Sequence, residues 1–225
     1  MFRVLEFSNK AIQGAMDLND PKRILFEYPR ALIHLIECNT PSFENIFIIG
    51  HGIGTIASHF PEKRFKVAEL DHEVVELSKR FFGYCKDNVS VGDGRQILES
   101  EDQHAYDFIV LDAFTEKGTP LHLISKEFFA ICREKLDSSG MILMNLFGKG
   151  ENDQLMNAIR TTLYEEFAYI KAFSLRSEGI ADIQNIILVG RNKPIGFQAR
   201  QMAGFTEIEL GQGYIIRDRG LKDQP

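Results

Sequence analysis

From Asn45 onward, short apolar runs of β-type residues alternate with longer segments whose apolar residues recur at helical spacing. That alternation commits the chain to a parallel sheet assembled from βαβ units. The runs are NIFIIG (45–50), FKVAELD (65–71), VSVGD (89–93), YDFIVLD (106–112), MILMNLF (141–147), AYIKAFSL (168–175) and NIILVG (185–190). They predict an α/β protein with a seven-stranded, mostly parallel, doubly wound sheet.

The intervening segments read as amphipathic helices. HEVVELSKRFF (72–82) places Val74, Val75, Leu77, Phe81 and Phe82 where they can pack on a sheet, and HLISKEFFAICREKL (122–136) does the same with Ile124, Phe128, Ile131 and Leu136. DSSG (137–140) ends the second helix, with Gly140 suited to the left-handed position beyond a C-terminus. Upstream, FRVLEF and AIQGAMDL predict a short strand pair, and LFEYPRALIHLIE (25–37) a helix starting near Tyr28 with Pro29 in its first turn. The expected organisation is an N-terminal hairpin and helix entry (1–44), a nucleotide-binding catalytic domain (45–194) and a C-terminal tail (195–225). In that tail, TEIELGQGYIIRD predicts a hairpin about Gly-Gln-Gly.

With 225 residues, 44% of them hydrophobic, one buried core is expected. The formal net charge of -6, with no long Lys/Arg run, argues against a nucleic-acid partner and tolerates a cationic substrate. Cys38, Cys85 and Cys132 form no C-x-x-C pair and read as buried free thiols, and the six histidines are too scattered for metal-ligand spacing, so no metal is expected. MFRVLEFSNK lacks the apolar stretch of a secretory signal, and no run approaches the ~18 apolar residues of a membrane span. The expected protein is cytoplasmic, with no membrane partner.

Chemistry concentrates at the carboxyl ends of the predicted strands, where open α/β sheets bind ligands. The first strand runs into IIGHGIGT, and Gly50, Gly52 and Gly54 let the backbone approach a ligand closely. A G-x-G-x-G after a strand also fits a dinucleotide-binding protein or a plain tight turn. The second strand ends at Glu69, placed to accept hydrogen bonds from both hydroxyls of a ribose. The third ends at Asp93 and Gly94; Asp93 can accept from an adenine amino group, or it can simply cap the helix RQILES. The fourth ends at Asp112, where a carboxylate can orient an amine and take its proton during attack on a carbon attached to a sulfonium. His51 reads as an exposed turn histidine and His122 as the opening of a helix.

IIGHGIG, AELDHEVVELSKRFF, VGDG and FIVLDAF, in this order, resemble successive motifs of the spermidine synthase family, a branch of the Rossmann-like class I methyltransferase fold; the likeness covers roughly residues 12 to 147. The resemblance implies a transferase using S-adenosylmethionine or its decarboxylated form as donor. It implies ribose binding by Glu69, adenine binding by Asp93 with Gly94, and proton acceptance by Asp112. IQGAMDL and FEYPRALIHL resemble the family's hairpin and helix entry, which makes Tyr28 the partner of Asp112. The chain also departs from that pattern. Ile53 stands where the family's glycine loop has an Asp facing the aminopropyl end, Thr115 where a second Asp contacts the polyamine, and Pro29 where a polar residue follows the Tyr.

The expected activity is therefore aminopropyl or methyl transfer to a small acceptor, an amine among the candidates. The resemblance leaves room for a homodimer. Two other readings stay open: a non-catalytic nucleotide-binding sensor and an NAD-dependent oxidoreductase, the latter disfavoured by Asp93–Gly94.

Overall fold

A computed structural model describes residues 1–6, 12–115, 118–175 and 183–218. Strands β1 (Phe2–Glu6) and β2 (Ile12–Asp17) form a separate antiparallel pair with Phe2 opposite Asp17. Helix α1 (Glu27–Asn39) follows, with Pro29 in its first turn as expected. The main sheet then begins with β3 (Asn45–Ile49), α2 (Thr55–His59), β4 (Arg64–Glu69), α3 (His72–Phe82), β5 (Val89–Val91), α4 (Gly94–Glu99) and β6 (Tyr106–Leu111). It is completed by α5 (Lys126–Lys135), β7 (Leu136–Gly148), α6 (Gln154–Leu163), β8 (Tyr169–Leu175), β9 (Gln184–Arg191) and β10 (Phe205–Ile208).

The strand order is β10-β8-β9-β7-β6-β3-β4-β5, parallel from β7 to β5 and antiparallel from β7 to β10. All seven expected strands are present, and β10 adds an eighth. The central strands are buried on both sides, which is why they read as unbroken apolar runs. Phe47, Ile49, Ile109, Leu111 and Ile142 face one core with α4, α5 and α6. Ile46, Ile48, Phe108, Val110 and Leu143 face the other with α1 and α2.

Helix starts follow their capping residues. Asp71 accepts from the Glu73 amide at 2.8 Å, Ser125 from Phe128 at 3.2 Å, and Asp153 from Leu155 and Met156 at 2.9 and 3.2 Å.

Four details differ from expectation. Gly140 does not end a helix in the left-handed region: α5 stops at Lys135, and Gly140 lies within β7 at an irregular register, Tyr106 pairing Leu136 and Phe108 pairing Met141. A side chain there would crowd Leu136 and the Asp107 carbonyl. The segment 122–125 is not part of α5; Leu121–Leu123 is a 3-10 turn, and Ser125 starts the helix afresh. The tail makes no hairpin, because Glu209–Asp218 pairs with side chains rather than with itself: Gly211, Gly213 and Ile216 amides donate to Asn157, Thr161 and Thr162. The tail thus crosses α6 toward α4, where Arg95 grips Asp218 with two bonds of 3.0 and 2.7 Å. Of the cysteines only Cys132 is buried, Cys38 being half-buried and Cys85 exposed.

Candidate active site

A cavity of about 230 Å³ opens above the carboxyl ends of β3, β4, β5 and β6, and every sequence-predicted site residue lines it. Its floor is the glycine loop. Gly50 has φ +96°, and a side chain on it would strike the Asp112 carbonyl at 2.1 Å. Gly54 has φ +79°, and a side chain there would enter the Tyr84 ring at 2.3 Å. Both positions therefore require glycine. Gly52 lies beside the Gln13 carbonyl of β2, and Gly94 opens α4 against Ile49.

Glu69 ends β4 with its carboxylate oriented by two amides: Oε2 accepts from His51 N at 2.7 Å and Oε1 from Asp71 N at 3.0 Å. Asp93 serves as the N-cap of α4, Oδ1 accepting from Gln96 N at 3.0 Å, while Oδ2 meets His122 Nε2 at 2.9 Å. The capping alternative for Asp93 is thus realised, with the second oxygen turned to the cavity side.

Asp112 follows β6 on the face covered by α1. The parallel register pairs Leu111 with Met144, so the next residues, Asp112 and Asn145, stand side by side. Asn145 Nδ2 donates to Asp112 Oδ1 at 2.9 Å, and Asn185 Nδ2 of β9 donates to Asn145 Oδ1 at 2.9 Å. Tyr28, from the first turn of α1, donates its hydroxyl to the same carboxylate. Burial lifts the Asp112 pKa to about 6, against the downward pull of the Asn145 and Tyr28 hydrogen bonds and with a smaller upward push from Glu69. Burial, then the Asp112 charge, drives the Tyr28 phenol well above its ordinary value, so Tyr28 stays a donor.

The outcome is a buried carboxyl group that two donors hold in place and that changes charge near pH 6.

His51 is buried, not exposed. Its ring meets Tyr84 edge-on at 4.5 Å, and its Nε2 lies 2.8 Å from Ser78 Oγ. Because Ser78 donates to the Val75 carbonyl at 2.7 Å, its oxygen accepts from Nε2–H of a neutral imidazole. Burial, then Lys79, lowers the His51 pKa to about 4. His51 thereby ties the glycine loop to α3 while its backbone amide orients Glu69.

Ile53 inserts against Gly14 of β2, where a side chain would collide at 2.5 Å, and joins the small cluster of Leu5, Val74 and Phe82. It fastens the N-terminal strand pair over the glycine loop. The sequence reading missed Asn145 and Asn185. Their signal is one polar residue inside MILMNLF and another opening NIILVG.

A family model described as "Spermine/spermidine synthase domain" matches residues 25–175. The chain belongs to this family.

Among spermidine-synthase-family relatives, a polyamine aminopropyltransferase of Vibrio vulnificus (strain CMCP6) is 31% identical over 183 residues, 76% of this chain and 61% of that protein. A spermidine synthase of Coffea arabica is 29% identical over 126 residues, 51% of this chain and 40% of the relative. The chain therefore spans about two fifths to three fifths of the length of these two relatives. The crystal structure of "a probable spermidine synthase from Corynebacterium glutamicum ATCC 13032" superposes with a TM-score of 0.81 at 20% identity, covering 95% of this chain and 92% of that one. Human methyltransferase-like protein 13 in complex with SAH superposes with a TM-score of 0.60 at 21% identity, covering 78% and 86%. Both likenesses establish the class I methyltransferase-like fold. Among the described residues, no helix is long and apolar enough to cross a membrane.

Proposed function

We propose that the protein transfers an aminopropyl group from a decarboxylated S-adenosylmethionine-type donor to the nitrogen of a small amine, with Asp112 as proton acceptor. The carrying observation is the Tyr28–Asp112–Asn145 cluster, which faces the same cavity as Glu69 and Asp93. The relatives named polyamine aminopropyltransferase and spermidine synthase support this reading.

In the reaction, the amine lone pair attacks the aminopropyl carbon bonded to sulfur, the carbon–sulfur bond breaks, and sulfur leaves as a neutral thioether. The acceptor's ammonium first gives a proton to Asp112, which frees that lone pair, and the product amine leaves in its protonated form. Catalysis is positioning plus proton removal, with no covalent enzyme intermediate required. Glu69 keeps lone pairs for the ribose hydroxyls, and Asp93 Oδ2 accepts from the adenine amino group once His122 yields it. The glycine loop admits the donor close to the backbone.

The electrostatics of the cavity favour the decarboxylated donor. Glu69, Asp93 and Asp112 line it, and no Lys or Arg does among the described residues, so a donor ending in an ammonium fits better than one carrying an additional carboxylate. Methyl transfer from S-adenosylmethionine is the second reading, favoured by the apolar Ile53 in the glycine loop.

Incubation with decarboxylated S-adenosylmethionine and an amine panel tests this, with chromatography of the nucleoside product. Methylthioadenosine release that Asp112→Asn abolishes supports aminopropyl transfer. S-adenosylhomocysteine formed from S-adenosylmethionine would replace it with the second reading, and nucleotide binding without either product would leave a sensor.

A further inference from the structure

The strand order splits the cavity into two chemically different halves. β4 and β5 lie on one side of β3 and carry Glu69 and Asp93; β6 and β7 lie on the other and carry Asp112, Asn145 and Phe147. On the Asp112 side the walls are aromatic. Phe114 and Phe147 have ring centroids 4.5 Å apart, and Phe26 stacks on Tyr28 at 6.3 Å. All four rings line the cavity. Among the described lining residues Asp112 is the one carboxylate in that half, and its oxygens already serve Tyr28 and Asn145.

We propose that the acceptor is an amine with a single cationic end and an apolar body, of the alkyl or arylalkyl monoamine class. This rests on the aminopropyl-transfer reading above. The attacking nitrogen is held at Asp112, and the body extends over Phe114 and Phe147. Phe147 is 45% exposed, a large apolar side chain that an apolar acceptor would cover. A second ammonium at this place would lose water against phenyl rings. The face of a Phe attracts an exposed cation only weakly, whereas stripping water from an ammonium without a paired carboxylate is costly. A methyl group in the same position loses nothing on leaving water and gains contact.

The test compares putrescine with n-pentylamine, its isostere with a methyl in place of the second ammonium, using decarboxylated S-adenosylmethionine and methylthioadenosine release. Phenethylamine is a third acceptor. The expected result is a kcat/KM for n-pentylamine at least tenfold above that for putrescine, with phenethylamine also preferred. Phe147→Asp places a carboxylate beside the body and should move the ratio at least tenfold toward putrescine; because Phe147 is half in solvent, this variant tests the contact without emptying the core.

Equal or better use of putrescine by the unaltered protein overturns the proposal and leaves aminopropyl transfer standing. An unchanged ratio in Phe147→Asp overturns the placement of the body. Absence of methylthioadenosine with every amine overturns the aminopropyl reading itself, a distinct outcome.

Discussion

Asn145 Nδ2 lies 2.9 Å from Asp112 Oδ1, so an amide inside β7 holds the carboxylate that follows β6. That bond and the Tyr28 hydroxyl both stabilise the ionised form, opposing the burial that lifts the Asp112 pKa to about 6. Removing either donor must therefore raise the pKa further. The acidic limb of the pH profile of kcat/KM is expected near pH 6 in the unaltered protein and higher in Tyr28→Phe and Asn145→Leu. A limb that stays in place in both variants would separate Asp112 from the titration.

Asp112→Asn should lower turnover by about 100- to 10,000-fold, the usual range for a lost general base, while changing donor affinity little. It should also alter stability in a defined direction. The folded protein holds the Asp112 proton more tightly than the unfolded chain, so this stabilisation is complete below about pH 4 and is lost as pH rises through about 6. At pH 7 the Asn variant is expected to be more stable, by at most roughly 3 kcal/mol, and the gain should vanish toward pH 4. Urea titrations at the two pH values measure it.

His51 works in the opposite sense. Its folded pKa of about 4 lies below the ordinary 6.5, so its contribution is complete above about pH 6.5 and disappears as pH falls through about 4. His51→Gln keeps a donor for Ser78 without the titration. Its stability should fall less than that of the unaltered protein between pH 6.5 and 4, by about 1–3 kcal/mol, again by urea titration.

Gly50→Ala is expected to destabilise the protein by more than about 2 kcal/mol, since it combines a left-handed backbone with a collision on the Asp112 carbonyl. Thermal unfolding measures the loss. Gly83→Ala is the control: Gly83 has φ +71° but open space around it, so only the backbone cost of about 1 kcal/mol should appear.

The convergence of Glu69, Asp93 and Asp112 on one cavity was legible because strand ends follow from hydrophobic alternation, and a parallel sheet brings its carboxyl ends together. Asn145 was not legible, although it sits inside a strand that was. Its place beside Asp112 depends on the register between β6 and β7, which an irregularity at Tyr106–Phe108 shifts. His51 escaped for a related reason. A histidine among glycines looks solvent-facing, whereas the Tyr84 ring and Ser78, brought in by α3 and the residues after it, pack against it. The tail misled through Gly-Gln-Gly, which local chemistry makes a hairpin turn, whereas Asn157, Thr161 and Thr162 claim its amides instead. In each case the deciding partner is distant in sequence.

The most direct measurement is calorimetric titration of the purified protein with decarboxylated S-adenosylmethionine and, separately, with S-adenosylmethionine. A cavity lined by three carboxylates and, among the described residues, no Lys or Arg should bind the decarboxylated donor at least tenfold more tightly, about 1.4 kcal/mol. Tighter binding of S-adenosylmethionine would contradict aminopropyl transfer, and binding of neither would remove the nucleotide from the site altogether.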